Sequence, residues 1–416
     1  MPTTAPTPMR SAELARLISG HICLHACMAG TRMAAPLLAL RDGHSAMNVG
    51  VLLALFALAP VFLALPAGRF ADRHGLKRPM RIAVTVAALG AGLAVLFPIF
   101  PVLCLSALMT GGATGAASIS LQRHVGRAAA GPTELKRVFS WLAIGPAASN
   151  FVGPLAAGLM IDYAGTGAGD TLGFRAAFLL MAALPLVTWL WIRRVHDLDP
   201  VRPVAGAPAT RAWDLLREPM MRRLILVNWC LSSCWDVHLF AVPLIGHERG
   251  FNASVIGAIL GGFAIAAAVI RIVMPVFAAR LRENAVIASA MLTTAAVFAV
   301  YPFMSGAWAM GACSVVLGLA LGSVQPMVMS TLHQITPDAR HGEALGLRLM
   351  TINASSVAMP LFFGSLGAVV GVSALFWAVG LVVGASSRLA FGLRVPADAV
   401  HPVASVASTV TDRRNP

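Results

Sequence analysis

GRFADRHGLKR, residues 68–78, gathers five ionisable side chains and a histidine in a chain of which only 12% is charged. It lies between two apolar runs, 46–67 and 80–98. A bilayer's hydrocarbon layer takes ~20 consecutive apolar residues per helix, so each run is long enough to cross and the stretch between them reads as a short polar turn outside the membrane. Orientation alone would account for its cations. It would not account for Asp72, or for glycines at 68 and 75.

Working outward, the same pattern fills the chain. Its 416 residues are 58% hydrophobic with a mean hydropathy of +0.78, far more apolar than a water-soluble core requires. Twelve apolar segments are expected near 14–40, 46–67, 80–98, 102–122, 138–162, 173–192, 222–245, 252–277, 285–303, 307–332, 344–370 and 372–393. With these spans drawn, nearly all of the 31 Lys and Arg fall on one side. Arg41, Arg175 and Arg249 fall on the other, and Arg32 and Arg271 within spans. This is the positive-inside pattern. It places both termini and 68–78 in the cytoplasm, as expected of a multi-pass protein of the bacterial inner membrane type. The net charge of +14 then reports orientation and gives no reason to invoke a nucleic-acid partner.

A shift of 207 residues lays one half of the chain on the other. Cys23 meets Cys230, Cys27 meets Cys234, Pro36 meets Pro243, Gly43 meets Gly250, Gly50 meets Gly257 and Phe56 meets Phe263. Gly111 and Gly115 meet Gly318 and Gly322, and GRFADR (68–73) meets PVFAAR (275–280). A shift of 206 then carries Pro154 to Pro360 and Gly158 to Gly364. An even number of spans per repeat gives both copies the same orientation. The expected organisation is an all-α membrane protein of two pseudo-symmetric six-helix bundles, 14–195 and 221–396. A cytoplasmic tail (1–13), a Pro- and Ala-rich linker (196–220) and a disordered tail (397–416) complete it.

A six-plus-six parallel repeat with a charged turn between the second and third spans resembles the major facilitator superfamily over about 14–396. The turn itself is similar to that family's loop signature, with Gly68, Asp72, Arg73, Gly75, Lys77 and Arg78 in matching places. The resemblance implies a secondary transporter of small molecules working by alternating access. It also implies that Asp72 faces the N-terminal end of the eleventh span while the protein is closed inside, and that Arg73 pairs with an acid at the end of the fourth span. Here Gln122 and Arg123 occupy that end, which leaves Glu134 as a substitute acid. Ala279 stands opposite Asp72 in the repeat, so a one-sided latch is expected. SNFVGPLAAG (149–158) is similar to the Gly-Pro motif of the family's exporters, with Gly153, Pro154 and Gly158 matching. Tight helix packing and an exporter-specific role both fit it.

Ionisable residues inside spans cost ~2.5–3.5 kcal/mol on insertion scales and so are candidates for function. Asp236 lies near the middle of the seventh span, where it can serve in proton coupling or as an ion-pair strut. Arg32 lies at similar depth in the first span, and a pair with Asp236 across the two halves is expected. Arg271 is ~9 Å nearer the cytoplasm than the centre of its span, too far to share one small anion with Arg32. Snorkelling to the surface is the plain alternative for it. His21 and His25, at i,i+4, read as packed or cavity-lining side chains ahead of a metal pair. His25, Asn150, Trp235, His238, Gln325 and Asn353 form the expected substrate cavity, Gln325 beside the helix-bending Pro326 above all.

GTGAG (165–169) resembles a nucleotide loop only as a string, since no strand precedes it. No paired catalytic carboxylates or metal-ligand spacing appears, so an enzyme is not expected. The reading that follows is a monomeric, lipid-embedded exporter of small organic molecules, driven by a proton gradient with no cofactor. A proton-coupled importer of a small organic anion is the alternative, and a non-transporting sensor a third.

Overall fold

The computed structural model describes residues 11–44, 46–164, 171–198, 212–251, 253–370 and 372–393. The loop 165–169, most of the linker, and the extreme tails therefore lie outside the described residues. The described chain is helical throughout, with no strand. Its helices are α1 (Ser11–Arg41), α2 (Ala46–His74), α3 (Lys77–Leu96), α4 (Phe100–Ala128), α5 (Pro132–Leu142), α6 (Ile144–Ala164) and α7 (Leu172–Ile192). After a 3₁₀ segment (Ala212–Arg217) follow α8 (Pro219–Glu248), α9 (Ala253–Phe277), α10 (Glu283–Val300), α11 (Ala307–Ile335), α12 (His341–Val370) and α13 (Val372–Phe391), with short 3₁₀ turns at Tyr301–Phe303 and Asp338–Arg340.

Eleven spans, one of them Pro132–Ala164, are long and apolar enough to cross a bilayer, and α12 at 30 residues completes twelve. Many helices run beyond the expected limits at the end where 68–78 lies, called here the basic end. Hydropathy marks only the lipid-embedded part, whereas backbone hydrogen bonding carries the helix on into the polar layer.

The fifth span is the one expected as a single helix that the structure breaks. Ala143 interrupts it, three residues before Pro146. Proline has no N–H to give the carbonyl of Leu142, and its ring presses on that turn, so the helix restarts as α6.

The repeat is visible in backbone detail. Gly43 and Gly250 both adopt positive φ, 83° and 73°, at the turn after the first helix of each half. A Cβ on Gly111 would strike the carbonyl of Phe56, and one on Gly318 would strike the carbonyl of Phe263. These are the residues the 207 shift pairs, so the sequence match marks the same helix crossing twice. Pro243, Gly257, Pro360 and Gly364 fall among positions whose side chains are not described.

Packing within the first half links α1 to α6 and α7, α2 to α4, and α3 to α4 and α7. Within the second, α9 packs on α11, and α10 on α11 and α13. The halves meet mainly through α2 against α12 and through α5 against α9 and α11. Large apolar side chains such as Phe62, Phe151, Leu179 and Leu381 are exposed, as a lipid-facing surface requires.

Candidate functional site: a latch at the basic end and polar groups within the spans

The α2–α12 crossing is held apart by no side chains at Gly68 and Gly342. A Cβ on either would run into the backbone of the other helix, and one on Gly346 would meet the carbonyl of Ala64. This close approach lets Asp72, one turn along α2, reach the start of α12. Its Oδ1 accepts the Gly342 N–H at 2.9 Å and its Oδ2 the Glu343 N–H at 3.1 Å. Those N–H groups belong to the first turn of the helix and have no intrahelical acceptor, so a carboxylate is the fitting partner.

Asp72 is buried, with 7% of its surface exposed, and so is Arg123 at 2%. The Arg123 Nε donates to Asp72 Oδ1 at 2.6 Å and one Nη to the Asp72 carbonyl at 3.2 Å. The expected acid on the fourth span is thus replaced by a base that pairs with Asp72 itself. Arg73 is exposed and makes no ion pair among the described residues. Glu134, the expected substitute partner for Arg73, instead accepts the Ala130 N–H at 2.7 Å, closing the turn before α5. Arg69 carries the second contact across the halves, its Nε donating to Glu343 Oε1 at 2.7 Å, while Arg340 holds the other oxygen at 2.8 Å.

Gly75, with φ 73°, makes the left-handed turn into α3. Asp197, just beyond α7, accepts the backbone N–H groups of Leu76 and Lys77 at 2.9 and 3.0 Å. A Cβ on Gly75 would press on that carboxylate. Lys77 and Arg78 therefore open α3, Lys77 half-buried and Arg78 exposed.

Ala279 offers no acid opposite Asp72 in the repeat, and the second contact between the halves has different chemistry. Lys136 of α5 donates to the carbonyl of Leu281 at 2.7 Å and lies 3.6 Å from Glu283. Glu283 in turn accepts from Ser330 and Gln334 of α11 at 3.1 and 3.0 Å. Beside it His333 fills the space over Gly126 and packs against Phe139 and His341 at ring-centroid distances of 4.9 and 4.5 Å. The basic end of the molecule is closed.

Deeper in, Arg271 is 8% exposed and does not snorkel. Its Nη1 donates at 3.3 Å to the carbonyl of Ala143, the residue at the break in the fifth span, and its Nε at 3.3 Å to Gly322. The guanidinium also lies 5.8 Å from the Trp235 ring centroid. The donor to the carbonyl at this break thus comes from the opposite half.

Arg32 and Asp236 form no ion pair in this structure. Arg32 is exposed, and the half-buried Asp236 is met by the Ser356 hydroxyl at 3.4 Å. With the halves joined mainly through α2–α12 and α5–α9–α11, α1 and α8 are not packed along one another, which leaves the two side chains apart.

The expected cavity residues divide. His238 is fully buried inside its own half, stacked on Phe263 at 4.2 Å and bonded to Ser314 at 3.0 Å, so it does not line a cavity. Asn353 bonds back to the Leu349 carbonyl of its own helix at 2.8 Å. Trp235 meets Phe263 edge-on at 4.5 Å, His25 meets His21 edge-on at 5.8 Å, Asn150 is exposed, and Gln325 is half-buried beside Pro326. His21 Nε2 is 3.1 Å from the Ser118 hydroxyl, a packing contact.

Gly153 lets α6 lie on α1. A Cβ there would stand 2.5 Å from the Ala26 carbonyl, and one on Gly158 would meet the Met33 methyl at 3.2 Å. Pro154 follows inside the helix. The geometry of this motif is close packing.

Arg69, Glu343, Lys136, Glu283 and His333 were not singled out in the sequence, and two buried arginines were also missed. Arg123 stands at the end of the fourth span, and Arg348, 7% exposed, lies seven residues into α12 with its Nε on Asn228 Oδ1 at 3.2 Å. Reading the start of α12 at 344 placed Arg348 too near the surface to count as intramembrane.

The comparisons agree with this geometry. The Major Facilitator Superfamily profile matches residues 17–235 and 224–409. The Escherichia coli class B tetracycline resistance protein is 26% identical over 335 residues, covering 76% of this chain and 78% of that protein. Among solved structures, the transporter FucP in its outward conformation superposes with a TM-score of 0.75 at 14% identity, over 92% of this chain and 98% of its own. The human organic anion transporter MFSD10 gives 0.74 at 14% identity, over 92% and 100%. A bacterial homologue of the iron transporter ferroportin, outward-facing, gives 0.73 at 16% identity, over 92% and 98%. Twelve spans in two matching halves, a loop signature engaged at the start of α12, and a profile match across nearly the whole chain together show that the protein belongs to the major facilitator superfamily of membrane transporters.

Proposed function

We propose that the chain is a proton-coupled exporter of small organic molecules, with its basic end in the cytoplasm and its home in a bacterial inner membrane. The observation that carries the reading is Asp236. Of the 17 acids in the sequence it is the one in the middle of a span, half-buried and, among the described residues, answered by a single hydroxyl at 3.4 Å. A carboxylate so placed can take a proton from one side and release it to the other as the halves rock. Likeness to a tetracycline resistance protein supports export of organic compounds. In this reading the cytoplasmic latch of Asp72, Arg123, Arg69 and Glu343 holds the inward-closed state, and its release opens the cavity to the cytoplasm.

The test uses liposomes enclosing a pH-sensitive dye. With an imposed proton gradient, adding tetracycline and then a panel of amphipathic drugs should cause proton movement through the native chain, and none through Asp236→Asn. Proton movement unchanged in the variant removes the coupling role.

A second reading, import of a small organic anion, is favoured by Arg32 and Arg348. Neither has an acidic partner among the described residues, and Arg348 is buried. Uptake of a carboxylate compound, lost in Arg32→Gln, would select it.

A further inference from the structure

On the outer face of the first half, α3 and α7 leave between them a cleft of about 520 Å³. Val84, Leu186 and Leu190 form much of its walls, Trp189 and Thr85 stand at its sides, and Arg81 is its one charged residue. The Thr85 hydroxyl is already spent on the Arg81 carbonyl at 3.0 Å. Arg81 is exposed and forms no ion pair among the described residues.

Depth decides what meets it. Arg81 is four residues into α3, ~6 Å from its start, and Trp189 three residues from the end of α7, ~4.5 Å. Both are at headgroup level, where tryptophan and arginine rings and cations anchor helices. A turn deeper, Leu186 is exposed to acyl chains and the buried Val84 backs the cleft. Exposed Arg78, Arg193 and Arg194 lie near the same ends of α3 and α7 and add positive charge.

We infer that this cleft is a binding site for one anionic phospholipid of the leaflet at the basic end, its phosphate on Arg81 and an acyl chain along Val84 and Leu186. Two features of the same molecule mark the cleft as specific. A second lipid-facing cleft, about 330 Å³ and lined by Ile270, Met274, Val286 and Val316 among others, has no cation in its wall. The residue that the 207 shift places opposite Arg81 is Ala288, so the repeat does not carry the charge. The site also lies directly beneath the Asp197 cap that ties the α2–α3 turn to the end of α7. A lipid wedged there braces the two helices that frame the latch turn.

The experiment is native mass spectrometry of the full chain, titrated with phosphatidylglycerol or with phosphatidylethanolamine. The native protein should retain one phosphatidylglycerol in preference to the zwitterionic lipid. Arg81→Gln should weaken that binding about fivefold, the factor matching about 1 kcal/mol per basic side chain near a membrane surface. Arg81→Lys should keep most of it. Leu186→Trp, which fills the cleft and leaves Arg81 in place, should also weaken it. Equal retention of both lipids, unchanged binding in both Arg81→Gln and Leu186→Trp, or displacement by soluble glycerol phosphate would overturn the assignment.

Discussion

Asp72 meets four donors, two on the first turn of α12 and two on Arg123, within a region that excludes water. Removing one member of a buried pair leaves the other charge unanswered and costs about 3–5 kcal/mol. Asp72→Asn should therefore weaken the latch and slow transport by tenfold or more while the protein is still made and inserted, as flux and membrane abundance measured together would show. Combined with Arg123→Gln, the loss should be well short of additive, and strictly additive losses would mean the two do not act as a pair. Asp72 and its place against the eleventh span were legible in the sequence because the turn signature fixes its position. Arg123 was not, because the expected pattern calls for an acid there. Nothing in the local sequence says that a base will turn inward to Asp72 while Arg73 turns out to solvent.

The helices α2 and α12 approach as closely as their glycines permit, and the element scale is where that seam is tested. Gly68→Ala puts a methyl group into the Gly342 backbone. Overpacking of this kind typically costs about 1–3 kcal/mol, here paid by separating the two helices at the basic end. A cysteine placed at the buried Ala71 should then react faster with a maleimide applied from that side, whereas an unchanged rate would show that the seam does not set closure. On the other side of the molecule Lys136→Ala should have a milder effect, since its ion pair is longer at 3.6 Å and one carbonyl contact carries the rest. Twofold to fivefold slower flux is the expected result, and a loss equal to or larger than that of Asp72→Asn would overturn the ranking of the two contacts. At this scale hydropathy revealed the spans, and the 207-residue shift paired residues that the structure places at equivalent crossings, Gly111–Phe56 and Gly318–Phe263. The break at Ala143 leaves no mark in hydropathy, because the apolar run continues through it. Its role depends on Arg271 arriving from the far half, a contact that no local pattern records.

For the whole molecule, the two halves are joined at the basic end by Asp72, Arg69, Lys136, Arg271 and His333, drawn from both repeats. The pair expected between Arg32 and Asp236 is absent from this closed arrangement, and His238 is turned into its own bundle. Which side chains face a shared cavity depends on the relative tilt of the halves, a property of the assembled fold that helical periodicity within one span does not contain. The central claim is proton-driven export through Asp236. It is tested most directly by the internal levels of a broad panel of labelled drugs and metabolites in cells making the native chain or Asp236→Asn, with and without a protonophore. The account predicts at least one compound held lower by the native chain, returning to the control level in the variant and on collapse of the gradient. A compound held higher by the native chain would contradict export and select the anion importer, and a panel with no change at all would contradict transport itself.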